Sequence, residues 1–271
     1  MNSVSENTVP TALTIAGSDP SGGAGLQADL KTFSHYGIYG MTAITCLTAG
    51  NTQGVSEVNP IDPSFIRQQC QSVIQDIKPS VTKTGMLFSK ETIVAVADDL
   101  ATISCPIVVD PVMVTKRGDI LLSKNAQNYY IEHLLQLSDV LTPNIPEAEL
   151  LTKEQINNSD DMEQAAKRLL EMGSKSVVIK GGHQKESKNS NDLFFDGNEM
   201  IWLTSKRYPT QHTHGAGDAF SAAISALLAK GKSLRQAAEQ AKQFIIHAIK
   251  SAPGLGKGQG PINFSLSHHP K

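Results

Sequence analysis

The sequence predicts an α/β protein in which a mostly parallel sheet is covered by helices on both faces. Apolar, β-branched runs alternate with helical patterns along most of the chain, as parallel strands with crossover helices require. Near the end of this alternation, "DLFFDGNEMIWLTSKRY" has Asp196-Gly197 between two strand-like runs. That pattern predicts a hairpin and therefore an antiparallel addition at one edge. No linker or repeat divides residues 1–271, so we expect a single domain.

The first half of the chain supplies the first four strands of this alternation. "TALTIAGSD" is a short buried strand that ends in a glycine turn, and "AGLQADLKTFSHYG" has helical periodicity closed by Gly37. "MTAITCLTA" predicts the second strand, and "PSFIRQQCQSVIQDI" predicts a helix that begins at Pro63 or Ser64. The strand "VTKTG", the helix "SKETIVAVADDLA" and the strand "PIVVDPV" follow.

The second half continues in the same way before the hairpin. A helix is expected in "NAQNYYIEHLLQL" and a strand in "DVLTPN". Two short helical patterns surround "PEAELL" and "DMEQAAKRLLEMG", and "SVVIKGG" is a nearly continuous apolar strand. Two further helices complete the chain after the hairpin.

Composition and charge exclude several classes of protein. The net charge of −2 provides no basic surface for nucleic acid or an anionic membrane. No apolar run approaches the roughly 20 residues that cross a bilayer, and "MNSVSENTVPT" lacks the features of a secretion signal. Cys46, Cys70 and Cys105 are widely spaced and form no CxxC pair. A reduced, cytoplasmic enzyme or binding protein is therefore expected.

Polar residues follow several of the predicted strands. Ligands of open α/β sheets bind beyond the carboxyl ends of the strands. The first strand ends in "GSDPSGGAG" (17–25), and Asp110, Asn144 and Lys180 end three later strands. Glu147 lies three residues after Asn144. Taken alone, each of these residues could have only a structural role, in a turn, at a helix start or at a solvated strand end. Because all of them are predicted at the same edge of the sheet, a ligand site is favoured.

Two common phosphate-binding motifs are absent. The sequence contains no G-x-x-x-x-G-K-[ST], which excludes a P-loop protein. The glycines of "GLGKGQG" (254–260) follow the last predicted helix. Because a dinucleotide fingerprint lies between a strand and a helix, these glycines do not support a dehydrogenase.

The stretch "THGAGDAFSAAISALLAKG" places glycines and an acid at the start of a buried helix. Its first-turn N–H groups carry partial positive charge, and glycines permit close approach of an anion. These amides could therefore stabilise phosphate charge that develops during transfer. Asp218 has two interpretations: an N-terminal cap, or the acceptor of a hydrogen bond from a substrate hydroxyl that attacks the phosphoryl group.

Several motifs together resemble one family. "ALTIAGSDPSGGAGLQADLKTF", "NTQGV", "KTGML", "VVDPVM", "TPNIPEAELL", "VIKGGH" and "THGAGDAFSAA" occur in the order and spacing of the hydroxymethylpyrimidine/phosphomethylpyrimidine kinases. These are ribokinase-like vitamin kinases, a group that includes pyridoxal kinases. The resemblance covers about residues 11 to 264. It implies a three-layer α/β/α fold, a homodimer, ATP with Mg²⁺, and phosphorylation of a hydroxymethyl group on a heteroaromatic ring.

The resemblance also implies roles for individual residues. The ring pocket would be lined by Gly17, Ala24, Asp29, Met86 and Val112. The Mg²⁺ ion would be organised by Asp110 and Glu147, largely through water. The nucleotide phosphates would be contacted by Asn144, Lys180 and Thr213, the anion hole would be formed by Gly215, Ala216 and Gly217, and Asp218 would be the catalytic base.

Two positions depart from the pyrimidine kinase pattern. Cysteine is usual where this chain has Asp218, and glutamine is usual at Gly50, where it reaches the polar edge of the ring. Losing that hydrogen bond could cost about 1 kcal/mol of discrimination. A pyridoxal or pyridoxine kinase is therefore the alternative, and a non-catalytic vitamin- or nucleotide-binding protein is an alternative of another class. Within "TKRGDI", Lys116 or Arg117 is hypothesised to meet phosphate charge when a flap closes, and an exposed basic loop is equally compatible.

Overall fold

Nine strands form one sheet in the computed structural model, which describes residues 9–114, 122–183 and 188–265. Their order across the sheet is β3-β2-β1-β4-β5-β6-β7-β8-β9. The strands are β1 Thr11–Ser18, β2 Tyr39–Asn51, β3 Gly54–Pro60, β4 Val81–Thr84, β5 Ile107–Val109, β6 Val140–Leu141, β7 Val177–Ile179, β8 Asp192–Phe195 and β9 Met200–Leu203.

The sheet is parallel from β2 to β7 and antiparallel at both edges. The predicted hairpin is confirmed as β8 and β9, with Gly197 at φ +90° in the turn. The antiparallel strand β3 at the other edge was not predicted. Nearly all of β3 is exposed, so it has no buried face and gives no apolar alternation in the sequence.

Helices cover both faces of the sheet, as predicted. The helices are α1 Gly25–His35, α2 Pro63–Asp76, α3 Lys90–Leu100, α4 Lys124–Tyr129, α5 Ile145–Thr152, α6 Ser159–Glu171, α7 Ala216–Ala229 and α8 Leu234–Lys250. One core contains residues of α2 to α6, and the other contains residues of α1, α7 and α8. Strand residues alternate between the two cores: Ile107 and Val109 face the first, and Val108 faces the second.

The helix expected in "NAQNYYIEHLLQL" is irregular. Helix α4 continues as a wide π-helical turn over Tyr130–Leu134 and a 3₁₀ turn over Leu135–Leu137. The wider turn allows Tyr130, Leu134 and Leu135 all to be buried. Packing against the sheet therefore overrides the regular helical period here.

The topology brings the predicted strand-end residues to one edge. Asp110, Asn144 and Lys180 follow β5, β6 and β7, which are adjacent and parallel. A bridge also joins Asn144 to Lys180. Lys116 and Arg117 lie outside the described residues. Within the described ranges, no helix combines the length and the apolar character needed to span a bilayer.

Candidate active site

A buried carboxylate connects three elements at the carboxyl edge of the sheet. Asp110 Oδ1 accepts a hydrogen bond from Lys180 Nζ at 2.9 Å, and Oδ2 accepts one from Ser221 Oγ at 2.8 Å. Burial opposes the charge of Lys180, but Asp110 and Glu147 raise the pKa of Lys180 above its ordinary value. Ser221 was not predicted, although its place one turn after Asp218 in α7 puts both residues on one helix face.

The start of α7 depends on a glycine in a left-handed conformation. Gly215 is the N-cap, with φ +75°, and a Cβ there would overlap the carbonyl oxygen of Gly23. Gly215 is buried, whereas Ala216, Gly217 and Asp218 in the first turn are partly exposed. The three residues predicted to form the anion hole are thus contiguous at an accessible helix N-terminus.

Asp218 is the third residue of α7 and not its cap. The cap is Gly215, and no side chain caps the helix, so the interpretation of Asp218 as an N-terminal cap is wrong. Within the part of the chain that the structure describes, no group donates a hydrogen bond to the Asp218 carboxylate. This carboxylate contributes to raising the pKa of both Lys83 and Lys180. Asp218 is therefore partly exposed and close to two ammonium groups.

Lys180 also approaches the anion hole. A Cβ built on Gly217 would lie 3.4 Å from Lys180 Nζ. The same Nζ is 2.9 Å from Asp110 Oδ1. The predicted phosphate-binding lysine is therefore located between Asp110, the residue after β5, and the first turn of α7.

Asp29, which is predicted to line the ring pocket, is buried against Lys83. Its carboxylate is fully buried, with Lys83 Nζ 2.8 Å from each oxygen and Thr14 Oγ1 2.6 Å from Oδ2. Burial raises the pKa of Asp29 to about 7, although the Lys83 ammonium opposes the shift. The Asp29 side chain has no exposed surface, and its contact with a ring stays a prediction. It holds Lys83, which β4 places on the sheet face packed against α1 and α7.

Gly17 and Met86 come together at the ends of β1 and β4. A Cβ on Gly17 would lie 2.8 Å from Cys46 Sγ and 3.8 Å from Met86 Sδ. The Thr45 hydroxyl donates to the Met86 carbonyl oxygen at 2.6 Å and so fixes the chain after β4. A side chain at position 17 would fill the space beside Met86.

The other predicted ring-pocket residues lie around the same edge. Ala24 precedes α1, and Val112 N donates to Asp110 O at 2.9 Å. Both are partly exposed, as is Met86. Gly50 lies at an irregularity in the pairing of β2 with β3. The structure contains no ring, and contact with one stays a prediction for these residues.

Asn144 and Glu147 form a capping box at the start of α5. Glu147 N donates to Asn144 Oδ1 at 2.9 Å, and Asn144 N donates to Glu147 Oε2 at 2.8 Å. The structure thus gives both residues a role in helix capping. Burial raises the pKa of Glu147 to about 8, against the effect of Lys180.

The loop before Gly215 contains Thr213 and His214. Thr213 is partly exposed, and its carbonyl oxygen accepts from Ala216 N at 3.2 Å. Its contact with nucleotide phosphates stays a prediction. His214 Nε2 lies 3.0 Å from Asp19 Oδ2, a contact that the sequence did not predict.

The donor set near Asp110 fits a partly hydrated Mg²⁺ ion. Across the described ranges, no group of three or more His, Cys, Asp or Glu side chains could hold a metal. However, the hydroxyls of Thr84 and Tyr130 are buried close to each other there, and neither has a further hydrogen-bond partner among the residues that the structure describes. The pKa of Tyr130 is raised by burial and by Asp110 and Glu147, which places its hydroxyl near both carboxylates. Mg²⁺ commonly binds through one or two carboxylates, with water and substrate phosphate as its other ligands.

The fold and these residues together define a ribokinase-like phosphotransferase. The chain matches the family described as phosphomethylpyrimidine kinase over residues 19–263, and it belongs to that family. It is 45% identical over 253 residues to the hydroxymethylpyrimidine/phosphomethylpyrimidine kinase of Bacillus subtilis strain 168, covering 93% of each chain.

Two solved structures share this fold. A pyridoxal kinase from Staphylococcus aureus in complex with AMP-PCP aligns with a TM-score of 0.89 and 36% identity, over 95% of this chain and 94% of that one. The phosphomethylpyrimidine kinase from Clostridium difficile 630 aligns with a TM-score of 0.79 and 40% identity, over 89% of this chain and 99% of that one.

Proposed function

We propose that this chain transfers a phosphoryl group from ATP to the hydroxymethyl group of 4-amino-5-hydroxymethyl-2-methylpyrimidine. A second transfer to the monophosphate would give the diphosphate used in thiamine biosynthesis. The observation that carries the proposal is the position of Asp218. Asp218 lies in the partly exposed first turn of α7. Its charge acts on the Lys83 and Lys180 ammonium groups, and Lys180 pairs with Asp110.

Asp218 orients the attacking hydroxyl by accepting its hydrogen bond. An ionised carboxylate accepts hydrogen bonds and donates none, which suits it to this role. Phosphoryl transfer has a loose transition state in most analyses, so orientation of the nucleophile matters more than early removal of its proton. Gly17, Ala24, Met86 and Val112 would hold the ring that carries this hydroxyl.

The amides of 215–217 and Lys180 would bind the phosphate charge. First-turn amides lack partners within the helix and point along its dipole. In this structure the Ala216 N–H donates to Thr213 O, just outside the helix, at 3.2 Å, so it would have to exchange that acceptor for phosphate. Lys180 Nζ pairs with Asp110 and lies beside Gly217, so it would be close to a phosphate bound by these amides. Asn144 and Thr213 would contact other phosphate oxygens of the nucleotide.

Asp110 and Glu147 would hold Mg²⁺, which neutralises phosphate charge when it is bound. In the chain itself, Ser221 fixes Asp110 Oδ2, and the capping box fixes Glu147 Oε2. Each carboxylate is therefore oriented before any ligand arrives. Lys180 and the buried hydroxyls complete a polar, mostly buried site, in which electrostatic interactions are stronger than in water.

Phosphorylation of pyridoxal is the second candidate. Gly50 has no side chain with which to read the pyrimidine edge, and solved pyridoxal kinases share this fold. Similarity to the S. aureus structure shows a shared fold and does not indicate which ring this chain prefers. The pyrimidine is favoured because the family and the B. subtilis relative are named for it.

One set of incubations separates these functions. The chain is incubated with ATP, Mg²⁺ and, separately, hydroxymethylpyrimidine, its monophosphate or pyridoxal, and the products are identified by mass spectrometry. The proposal predicts the pyrimidine monophosphate and then the diphosphate, with a higher kcat/KM than for pyridoxal. Preference for pyridoxal supports the second candidate. Nucleotide binding without any product supports a non-catalytic binding protein.

A homodimer and a reducing, cytoplasmic setting are part of the proposal. Leu47 and Val55 on the β2–β3 edge are 45% and 63% exposed, and apolar residues on an open edge fit a protein interface. All three cysteines are free, and Cys46 and Cys70 are buried, which fits a reducing compartment. Light scattering should give twice the monomer mass of 29.1 kDa, and a monomer at micromolar concentration would contradict the dimer.

A further inference from the structure

The Asp19 carboxylate organises the loop that follows β1. Its Oδ1 accepts from Ser21 N at 2.9 Å, and its Oδ2 accepts from Ser21 Oγ at 2.8 Å, Gly23 N at 3.2 Å and Ala24 N at 2.9 Å. Burial opposes the charge, but hydrogen bonds from His214 and Ser21 lower the pKa of Asp19 below its ordinary value. We call residues 19–24, which end at the predicted ring-pocket residue Ala24, the acceptor loop.

The fourth contact of Oδ2 comes from another part of the chain. His214 Nε2 is 3.0 Å away, and the His214 and Asp19 side chains are 27% and 14% exposed. Because an ionised carboxylate only accepts, the His214 ring must carry a proton on Nε2. His214 belongs to the segment 213–217, here called the phosphate loop, which includes the anion hole.

The two loops touch through their backbones as well. A Cβ on Gly23 would lie 2.6 Å from His214 Cδ2, and a Cβ on Gly215 would overlap the Gly23 carbonyl oxygen. The His214 ring therefore packs directly on the acceptor loop. Neither loop can shift along the other without breaking the contact between Asp19 and His214.

His214 is also fixed from its other side. Its N–H donates to Gly260 O at 3.0 Å, and its carbonyl oxygen accepts from Ile262 N at 3.4 Å. The backbone N–H and C=O of His214 are therefore both hydrogen-bonded. These bonds fix the position from which the His214 ring reaches Asp19. The Asp19–His214 contact is a side-chain hydrogen bond across a junction that also contains Gly23 and Gly215.

We propose that Asp19 and His214 are positioning residues that fix the distance between the acceptor hydroxyl and the anion hole. This inference rests on the proposed function. A displacement of about 1 Å between reacting groups can cost roughly a hundredfold in rate. A hydrogen bond between the loop that ends at the ring pocket and the loop that binds phosphate acts directly on that distance.

Two nearly isosteric variants of His214 test the proposal. His214→Gln keeps an N–H donor near the position of Nε2, whereas His214→Met removes the donor and keeps the length. Asp19→Asn and the double variant Asp19→Asn/His214→Met complete a double-mutant cycle. For each protein, kcat and KM for the ring alcohol, the Kd of ADP, the melting temperature and hydrogen exchange of residues 17–27 are measured.

We expect His214→Met to lower kcat about 10- to 100-fold while the Kd of ADP changes less than about threefold. His214→Gln should recover most of this loss, and the double variant should be no slower than the slower single variant. Hydrogen exchange in 17–27 should rise in His214→Met and stay near the wild-type level in His214→Gln.

A wild-type kcat in His214→Met, equal losses in His214→Gln and His214→Met, or additive effects in the double variant would each overturn the proposal. An inactive wild-type protein would instead contradict the proposed function. In that case the hydrogen-exchange comparison still decides whether His214 holds the acceptor loop: unchanged exchange in His214→Met would overturn that role.

Discussion

The Lys180 ammonium group can pair with Asp110 or, in the proposed function, with a bound phosphate. It pairs with Asp110 at 2.9 Å and lies beside Gly217, where phosphate charge would arrive. Such a lysine must stay charged although its side chain is only 15% exposed. The nearby carboxylates of Asp110 and Glu147 stabilise the charge of Lys180. A positive charge is therefore available at the start of α7.

Replacement of this lysine should weaken nucleotide binding specifically. We expect Lys180→Gln to raise the KM for ATP roughly 10- to 100-fold, because hydrogen bonds to charged groups contribute about 1.5–3 kcal/mol. Steady-state kinetics against ATP concentration measures this effect. Lys175 is the matched control: it pairs with Asp139 at 2.7 Å but its side chain is 69% exposed. Lys175→Gln should stay within about twofold of wild type, and similar losses in both variants would contradict the assignment.

Asp19 should make folding stability depend on pH in the acid range. Its pKa in the folded protein is lowered from 3.8, so the folded state favours the ionised form. This contribution is present above pH 3.8 and is lost as the pH falls through the folded-state pKa.

The free energy of unfolding of wild type and Asp19→Asn is therefore compared by urea denaturation between pH 7 and pH 3. At pH 7 we expect the variant to be less stable by about 1–3 kcal/mol, and the difference should shrink below pH 3.8. A constant difference over this range would show that the charge of Asp19 does not stabilise the fold.

At the scale of elements, the β2–β3 hairpin bears on the choice of ring. A Cβ on Gly50 would lie 3.1 Å from Gly54 O and 3.2 Å from Val55 Cα, which is a tight fit. Any side chain at position 50 therefore pushes on β3. A glutamine there would carry this packing cost together with any benefit to ring recognition.

Two substitutions at Gly50 separate the packing cost from recognition. Gly50→Ala adds only the Cβ, and we expect it to destabilise folding by about 1 kcal/mol. Gly50→Gln should then have a kcat/KM for the pyrimidine about fivefold above that of Gly50→Ala, since a new hydrogen bond contributes about 1 kcal/mol. If glutamine performs no better than alanine, this position does not read the pyrimidine edge.

The elements themselves were largely predictable because their periodicities are strong. The strands around Ile107 and Val177 and the helix at Ala216 follow from short apolar runs and the glycine-to-helix pattern. Strand β3 could not be predicted in this way, since it buries no face. The turn at Tyr130 could not either, because it follows from packing rather than from local sequence.

The site was predictable only in part, because contacts between residues that are distant in sequence leave no local pattern. The strand ends indicated where Asp110 and Lys180 would lie, since parallel strands share one edge. Their pairing, 70 residues apart in sequence, could not be read from either local pattern. The buried Asp29–Lys83 pair is a similar case, because its two residues are 54 positions apart in sequence.

At the scale of the whole molecule, one sheet separates two apolar cores and carries the site at a single edge. Lys83 lies on one face of that sheet, and Asp29 and Asp218 approach it from α1 and α7. We propose a single domain, because β1, β5, β6, β7 and β8 each contribute residues to both cores. Melting either core would expose the apolar residues of the same sheet.

Calorimetry tests this domain assignment. We expect one unfolding transition whose calorimetric and van't Hoff enthalpies agree for the cooperative unit. Recording the melt by circular dichroism and by the fluorescence of Trp202 should give the same midpoint. Two separate transitions, or probes that disagree, would indicate independently folding parts.

The central claim is that phosphoryl transfer depends on the Asp218 carboxylate at the start of α7. Single-turnover transfer from ATP to the preferred ring alcohol, in wild type and Asp218→Asn, tests it most directly. Asp98→Asn, at a side chain that is 55% exposed, is the control. We predict that Asp218→Asn lowers the transfer rate about 10²- to 10⁴-fold while ADP affinity and melting temperature stay near wild type. A rate within tenfold of wild type would contradict the claim.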